Sequence, residues 1–177
     1  MSSNSPMNVT MYEASVPVFT RYLRQLAAMI DLAQKHAARG GLDANTLLQA
    51  RLSPSMYPFS RQVEIAANFA IRACAPLAGV DKAQDAEHTQ GFDGLRDRVG
   101  QVLAFLESLT PAQMLGSEDR EFTSRAGLEA VSLQGRVFLT QYALPNFFFH
   151  VTTAYAILRH MGVGIGKSNY DGFHTYA

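Results

Sequence analysis

The sequence predicts an all-α protein, an antiparallel four-helix bundle with a small β-hairpin between its third and fourth long helices. Over four long segments, apolar residues recur in alternating steps of three and four, which is the period of an amphipathic helix. Strand-like and helix-like segments do not alternate as they do in α/β folds. With 177 residues, the chain is long enough to bury one core. We expect residues 1–9 to be a flexible tail and residues 10–177 to form a single domain.

The balance of charge excludes several classes of partner. Fifteen basic and fifteen acidic side chains cancel, so no basic excess indicates nucleic acid or an anionic membrane. No apolar run reaches the roughly 18 residues of a membrane span, and the polar first ten residues do not resemble a signal peptide. Cys74 is the one cysteine, which excludes a disulfide framework. We therefore expect a cytoplasmic protein, and its low net charge favours a homodimer.

The first long helix is predicted from Thr10 to the glycine pair at residues 40–41. Thr10 and Glu13 have capping-box spacing, with a hydroxyl at the N-cap and a carboxylate three residues later. Pro17 falls near the first turns, so the helix either kinks there or starts again at Ser15. Its apolar face is formed by Val16, Phe19, Leu23, Leu26, Ile30, Ala33 and Ala37.

A short helical segment precedes the second long helix. Asp43 is predicted to cap one or two turns within residues 43–52, and the prolines of residues 53–58 then interrupt regular structure. Pro58 suits the first turn of the second helix, which ends at Gly79. The inward face of this helix consists of Phe59, Val63, Ala66, Ala70, Ala73 and Leu77.

The third long helix follows a polar, mobile connection that we predict over residues 80–91. Thr89 is a candidate N-cap. Thr110 and Pro111 end the helix and are expected to cap a short turn through Leu115. The apolar positions of the helix are Phe92, Leu95, Val99, Val102, Leu106 and Leu109.

Residues 117–135 predict the β-hairpin. Charged or hydroxyl residues alternate with apolar ones on both sides of Gly127. An isolated hairpin is marginal in water, so we expect it to lie on the helices. We interpret Arg120, Arg125 and Arg136 as solvated charges of this region rather than as an anion site.

The fourth long helix, residues 144–162, is the most hydrophobic run of the chain and carries His150. Pro145 near its start and Gly162 at its end bracket it. Residues 136–144 are also predicted to be helical and to lead into it through a kink at the proline. The glycine-rich residues that follow contain three aromatic side chains and are expected to pack along the surface.

Two aromatic residues of the fourth helix, Phe148 and Tyr155, lie opposite its main apolar stripe. A helix that is apolar on nearly all sides is buried on more than one side, so either another segment or a second subunit should cover them. A homodimer formed through these two rings is a separate prediction.

His150 is the candidate for chemistry. Metal sites in helical bundles need converging ligands, usually histidine or glutamate three or four residues apart, and no H-x-x-x-H or E-x-x-H pair occurs. His160 lies about 15 Å further along the helix axis, so the two histidines cannot share an ion. His150 is either a core histidine hydrogen-bonded to a neighbouring helix, which we favour, or one ligand of a larger site. The polar side chains that could complete such a site from the second helix are Gln62, Glu64 and Asn68.

Nucleophilic catalysis has less support than metal binding. Cys74 lies on an alanine-rich helix without a histidine close in sequence, and we interpret it as a small core residue. The G-x-S-x-G motif of serine hydrolases does not occur. We therefore assign no residue a catalytic role.

Four blocks of the sequence are distinctive. They are L-P-N-F-F-F-H-V-T-T-A-Y-A-I-L-R-H-M-G-V at residues 144–163, M-Y-E-A-S-V-P-V-F at 11–19, R-L-S-P-S-M-Y-P-F at 51–59 and G-K-S-N-Y at 166–170. Together they resemble an uncharacterised bacterial family, domain of unknown function nineteen ninety-three, in the DinB/YfiT-like superfamily. The resemblance covers nearly the whole chain from about residue 8, and the block around His150 is the specific one.

The resemblance implies a DinB-like four-helix bundle, up-down-down-up or up-down-up-down, that is often dimeric. Metal-dependent members of the superfamily bind a divalent ion through three histidines, one on the second helix and two in an H-x-x-x-H-R-G-Q block on a late helix. His150 matches the second histidine of that block, Thr153 matches its glutamine, and Asn146 stands in place of the first histidine. Residues 59–78 contain no histidine, so two of the three expected ligands are missing.

Two hypotheses follow. The favoured one is a protein that is non-catalytic or binds an unknown small ligand, without a cofactor, in a degenerate metal site formed by Asn146, His150 and Thr153. The alternative is a divalent-metal-dependent enzyme with altered ligands, in which Glu64 or Gln62 joins His150. The sequence identifies neither the ligand nor a metal.

Overall fold

The computed structural model describes residues 9–81 and 90–175. These residues are mostly helical and include a small antiparallel sheet. The elements are α1 (Met11–Gly40), α2 (Ala44–Leu48), α3 (Phe59–Leu77), α4 (Gly91–Glu107), a 3₁₀ turn (Pro111–Met114), β1 (Glu121–Ala126), β2 (Glu129–Gln134), α5 (Gly135–Val137), a π-helical segment (Phe138–Ala143), α6 (Leu144–His160) and α7 (Lys167–Asp171). The predicted tail up to residue 8, and Thr89 with most of its connection, lie outside the described residues. No described helix is long and apolar enough to cross a membrane.

The ends of α1 follow its capping residues. The Thr10 amide donates to Glu13 Oε2 at 2.9 Å, and the Glu13 amide donates to Thr10 Oγ1 at 3.2 Å, which closes the predicted capping box. The helix continues through Pro17 and does not restart at Ser15. Gly41 follows in the left-handed conformation, at a φ of 61°, and ends the helix as glycine commonly does.

The four long helices pack on one another around one core. α3 packs along α6 and α4, α1 packs along α4, and α1 also contacts α3 and α6. Phe19 of α1 and Phe147 of α6 meet edge to face, with 4.8 Å between their ring centroids. The predicted inward face of the second long helix is fully buried at Phe59, Val63, Ala66, Ala70, Ala73 and Leu77. The antiparallel bundle arrangement of these helices stays a prediction.

The predicted hairpin between the third and fourth long helices is confirmed. β1 and β2 pair antiparallel, residue for residue. Gly127 takes a positive φ of 65° in the two-residue turn, a conformation that glycine adopts without steric cost. Arg120 attaches the hairpin to α3, because its guanidinium donates to the Leu77 carbonyl at 2.6 Å. The hairpin therefore lies on the helices, as its marginal stability in isolation requires.

Gly135 marks a close approach of two backbone segments at the end of the hairpin. A Cβ atom at this position would collide with the Ser117 carbonyl oxygen and lie 2.9 Å from the Phe122 ring. The Gly135 amide donates to the Arg120 carbonyl at 2.8 Å, which fixes the backbone there. A side chain is therefore excluded at this position by the chain that surrounds it.

The segment that leads into α6 differs from the prediction. The sequence predicts one helix over residues 136–144 with a kink at Pro145, whereas the chain forms a short α-helical turn and then a π-helix over Phe138–Ala143. Pro145 has no N–H to donate to the carbonyl four residues earlier, and the turns before it widen to the i→i+5 pattern. The hydrophobic pattern carries no sign of this change.

The C-terminal segment contains a short helix, α7, that the sequence does not predict. Tyr170 of α7 packs edge to face with Tyr22 of α1 at 5.4 Å and with Tyr155 of α6 at 5.6 Å. Tyr22 also contacts Phe148, at 4.8 Å between centroids. Other segments of the same chain therefore cover part of Phe148 and Tyr155, the two rings that the sequence assigns either to such a segment or to a second subunit.

Candidate functional site

His150 is held on α6 by a hydrogen bond to α3. The ring is buried, and its Nδ1 lies 2.7 Å from Gln62 Oε1. The Gln62 amide group is itself oriented, because its Nε2 donates to the Tyr57 carbonyl at 3.0 Å. Oε1 is then the acceptor, and the proton of the neutral imidazole is assigned to Nδ1. This geometry corresponds to the core histidine bonded to a neighbouring helix.

The second ring nitrogen of His150 is not committed to the protein. Among the described residues, every fully buried side-chain nitrogen or oxygen has a hydrogen-bond partner. Nε2 of His150 has no such partner in the described part of the chain, so it retains access to solvent, and the His150 ring lines a cavity. The imidazole therefore presents an unprotonated nitrogen, a hydrogen-bond acceptor, to that cavity.

The cavity beside His150 lies between α3, the α6 side of the fold and the hairpin turn, and its volume is about 500 Å³. One wall is a stripe of α3 formed by Arg61, Ile65, Asn68, Phe69 and Arg72. The facing wall is formed by Tyr142, Asn146 and His150, with Arg125 and Gly127 contributed by the hairpin. Cavities of this size with a few polar groups among apolar ones are typical of small-molecule sites.

The environment keeps His150 neutral. Burial, and to a smaller extent the positive charge of Arg61, lowers the pKa of His150 from 6.5 to about 4. Phe69 stacks against the imidazole at 5.8 Å between centroids with 20° between the ring planes, which adds to its desolvation. At neutral pH the residue is thus an uncharged acceptor at Nε2 and a donor at Nδ1.

Three arginines surround the cavity. Arg61 forms an ion pair with Glu64 at 2.8 Å. Arg72 donates through Nη2 to Tyr142 Oη at 3.1 Å and to the carbonyl of Arg125. The Arg125 side chain is exposed and has no ion-pair partner among the described residues. The described residues that line the cavity include no aspartate or glutamate.

The predicted site residues separate into two groups. Asn146 lines the cavity with His150, although its Nδ2 donates to the Tyr142 carbonyl at 2.7 Å. Thr153 is buried elsewhere, donates to the Phe149 carbonyl at 2.7 Å, and borders a different, apolar groove. Glu64 does not line the cavity. The structure therefore brings Asn146 and His150 together, and it places Thr153 and Glu64 outside the cavity wall.

The α3 stripe that lines the cavity is not predicted as part of a site from the sequence. Arg61, Ile65, Asn68 and Arg72 follow one another at steps of four, three and four, so they share one face of α3. This periodicity can be seen in the sequence. It shows that the four residues share a face of α3, but it does not show which segments pack opposite that face. Arg125 and Tyr142 come from the hairpin and the π-helical segment, and only the packing of these segments on α3 brings them to the same cavity.

The residues present do not fit the three-histidine metal site of the superfamily. No group of three or more histidine, cysteine, aspartate or glutamate side chains in the described ranges could hold a metal ion. Asn146 occupies the place of one histidine, and the α3 partner of His150 is the amide of Gln62. Cys74 does not replace a ligand at this site, because it is fully buried in the core and does not line the cavity.

Comparison with known proteins agrees with this fold. A crystal structure of a DinB family member protein from Shewanella denitrificans is 34% identical, covers 94% of each chain and superimposes with a TM-score of 0.82. The fold is therefore DinB-like. The sequence profile of the domain of unknown function DUF1993 matches residues 11–171, and the chain belongs to that family. No curated protein matches the chain.

Proposed function

We propose that this chain binds a small molecule in the cavity beside His150 and does so without a metal ion. The observation that supports the proposal is that the two ring nitrogens of His150 have different environments. Nδ1 is hydrogen-bonded to Gln62 at 2.7 Å, while Nε2 has no partner among residues 9–81 and 90–175, and the ring lines a cavity of about 500 Å³. An acceptor that is accessible in this position suits a ligand that donates a hydrogen bond.

We also propose that the four long helices form the antiparallel four-helix bundle predicted from the sequence. Its support is the packing of α3 along both α4 and α6, together with the contacts that α1 makes with the other three long helices. In such bundles, ligand sites are built from side chains on facing helices. The cavity between the α3 stripe and the wall that carries His150 has this character.

The competing proposal is a divalent-metal-dependent enzyme in which Glu64 or Gln62 joins His150 as a ligand. Oε1 of Gln62 already accepts a hydrogen bond from Nδ1–H of His150, and Glu64 forms an ion pair with Arg61. A metal would also have to enter beside three arginines, whose charges repel it. These arrangements favour the metal-free proposal.

Two measurements on protein purified without a histidine tag test the choice. Elemental analysis should find less than one tenth of an equivalent of any divalent transition metal. Tightly bound stoichiometric metal that is lost in His150→Ala would overturn the metal-free proposal in favour of the enzyme.

Ligand binding is tested by the imidazole signals of His150 in NMR spectra. Benzoate, phenyl phosphate and benzamide serve as probes, and at least one should shift the His150 signals in a saturable way. The His150 signals are identified by their loss in His150→Gln. His160→Gln, which removes an exposed histidine of the same helix, is the control and should leave binding unchanged. If none of the three probes shifts His150 at millimolar concentration, the proposal fails.

We also propose a cytoplasmic homodimer. The support for a dimer is an exposed apolar surface on α6: Phe149, next to Phe148, is 56% exposed and borders an apolar groove with Leu52, which is 45% exposed. Exposed apolar patches of this kind mark interaction surfaces more often than isolated residues do.

A further inference from the structure

We infer that the ligand of this cavity is a small organic anion whose carboxylate or phosphate group is held by Arg61, Arg72 and Arg125. The inference rests on the proposed function and adds the chemical class of the ligand. Its basis is a charge imbalance around one cavity, in a protein whose total charge is zero. Three guanidinium groups line the cavity, and among its described lining residues no carboxylate opposes them.

Carboxylates near the cavity compensate part of this charge: Glu64 pairs with Arg61, and Asp81 borders a neighbouring cavity that Arg72 and Arg125 also line. Glu64 lies 2.8 Å from Nη1 of Arg61 and balances that guanidinium. Arg72 and Arg125 have no ion pair among the described residues. Charges placed beside a low-dielectric wall and left without counter-ions attract an anion from solution more strongly than scattered surface charges do.

The arginines keep donors available for a ligand. The three hydrogen bonds of Arg72, to Ser124, Tyr142 and the Arg125 carbonyl, all leave from Nη2. A guanidinium has five N–H groups, so Nε and Nη1 of Arg72 still have donors without a partner in the described part of the chain. The planar fork of such a group matches the two oxygens of a carboxylate or phosphate.

Existing contacts hold the Arg72 head group in position. Its Cζ atom lies 4.7 Å from the centroid of the Phe69 ring, in cation–π geometry, and Nη2 lies 3.0 Å from Ser124 Oγ. A guanidinium that is already oriented loses little entropy when it binds an anion. Arg72 is therefore a preorganised donor, whereas the exposed Arg125 closes on the ligand from the hairpin side.

The other residues that line the cavity indicate the chemistry of the rest of the ligand. Ile65, Phe69 and Tyr142 present apolar or aromatic surface, and Nε2 of His150 accepts a hydrogen bond. An inorganic ion would use the arginines alone. An organic anion with a ring or short chain and a hydroxyl or N–H group uses all of these features.

The test compares matched probes that differ in charge. Benzoate and benzamide have the same ring and nearly the same shape, so we expect benzoate to bind at least tenfold more tightly at low salt. Phenyl phosphate, measured alongside, distinguishes a preference for phosphate from one for carboxylate. Dissociation constants are obtained from the shift of the His150 imidazole signals during titration.

Arg125→Gln is the informative variant, because its side chain is exposed and its carbonyl, which Arg72 and Tyr142 bind, is unchanged. We expect it to weaken benzoate at least fivefold and benzamide less than twofold. Arg24→Gln removes the same charge from an exposed position on α1, where Arg24 pairs with Glu107, and should change neither.

The outcomes separate the two proposals. If benzamide binds as tightly as benzoate, and Arg125→Gln affects both equally, the anion inference is overturned while the ligand site stands. If Arg24→Gln weakens benzoate as much as Arg125→Gln does, the effect is one of net charge and the inference also fails. If no probe binds, the proposed function itself is wrong.

Discussion

Nδ1 of His150 and Oε1 of Gln62 lie 2.7 Å apart, and this bond joins the two helices that enclose the candidate site. It fixes the tautomer of the imidazole, since the Gln62 amide nitrogen is committed to the Tyr57 carbonyl. A glutamine is an uncharged partner, so it orients the ring without stabilising the imidazolium. The low pKa of His150 therefore depends on an uncharged side chain at residue 62.

Replacing Gln62 by glutamate should therefore change the charge state of His150. A carboxylate at hydrogen-bond distance favours the protonated imidazole, so we expect Gln62→Glu to raise the pKa of His150 from about 4 to above about 6. NMR titration of the imidazole signals measures the change. Gln141→Glu, at an exposed position of the π-helical segment, should leave the pKa of His150 where it is; an equal response in both variants would contradict the assignment.

The stability of the protein should depend on His150 between pH 6.5 and pH 4. In this window the unfolded chain binds a proton at His150 and the folded chain does not, because the folded pKa is about 4. The free energy of unfolding therefore falls as pH falls from 6.5 to 4 and levels off below that range, by at most about 2 kcal/mol after allowing for solvent screening.

Urea denaturation of the wild type and of His150→Gln at a series of pH values measures this contribution. The difference between the two proteins cancels the carboxylates, such as Asp171 and Glu13, whose lowered pKa values make stability fall as the pH drops through the lower end of this window and below it. A difference that stays constant from pH 7 to pH 4 would rule out a neutral, buried His150.

Gly135 should tolerate no side chain. Gly135→Ala places a Cβ atom against the Ser117 carbonyl, and overpacking of this kind destabilises by about 2 kcal/mol. The matched control is Gly100→Ala on α4, where nothing lies within 4 Å of the added atom and the helix gains about 0.5–1 kcal/mol. Opposite shifts of the urea midpoint are expected; the same sign in both variants would disprove the close approach.

The homodimer is tested on the exposed face of α6. We expect light scattering to give twice the monomer mass for the wild type, and Phe149→Ser to shift the protein towards the monomer, because it removes an apolar ring that is 56% exposed. Phe173→Ser, at a ring that is 68% exposed beyond α7, is the control and should remain dimeric. A wild-type protein that is monomeric at tens of micromolar would rule out the proposed homodimer.

The helices were predictable because each needs only a local pattern. Residues such as Phe59, Val63 and Ala70 repeat at the helical period, and all are fully buried. The capping box of Thr10 and the turn at Gly127 are likewise local, since they depend on the chemistry of a few adjacent residues. The strand-like alternation that follows Gly127 was short but sufficient.

The candidate site was only partly predictable, because it depends on contacts between distant segments. His150 stood out as a polar residue on an apolar helix, and Gln62 was among its expected neighbours. The three arginines of the cavity are not expected from the sequence, which favours Arg125 as a solvated charge of the hairpin. The π-helical segment that carries Tyr142, and the short helix that carries Tyr170, also leave no trace in the hydrophobic period.

The carbonyl of Arg125 accepts hydrogen bonds from both Arg72 and Tyr142, two residues of the cavity wall. The hairpin and the wall are therefore mechanically one unit, and the hairpin cannot swing away without breaking both bonds. An anion that settles on Arg72 must, by linkage, make that swing rarer. Slower amide hydrogen exchange in β1 and β2 should therefore report, at the edge of the fold, that the cavity is occupied.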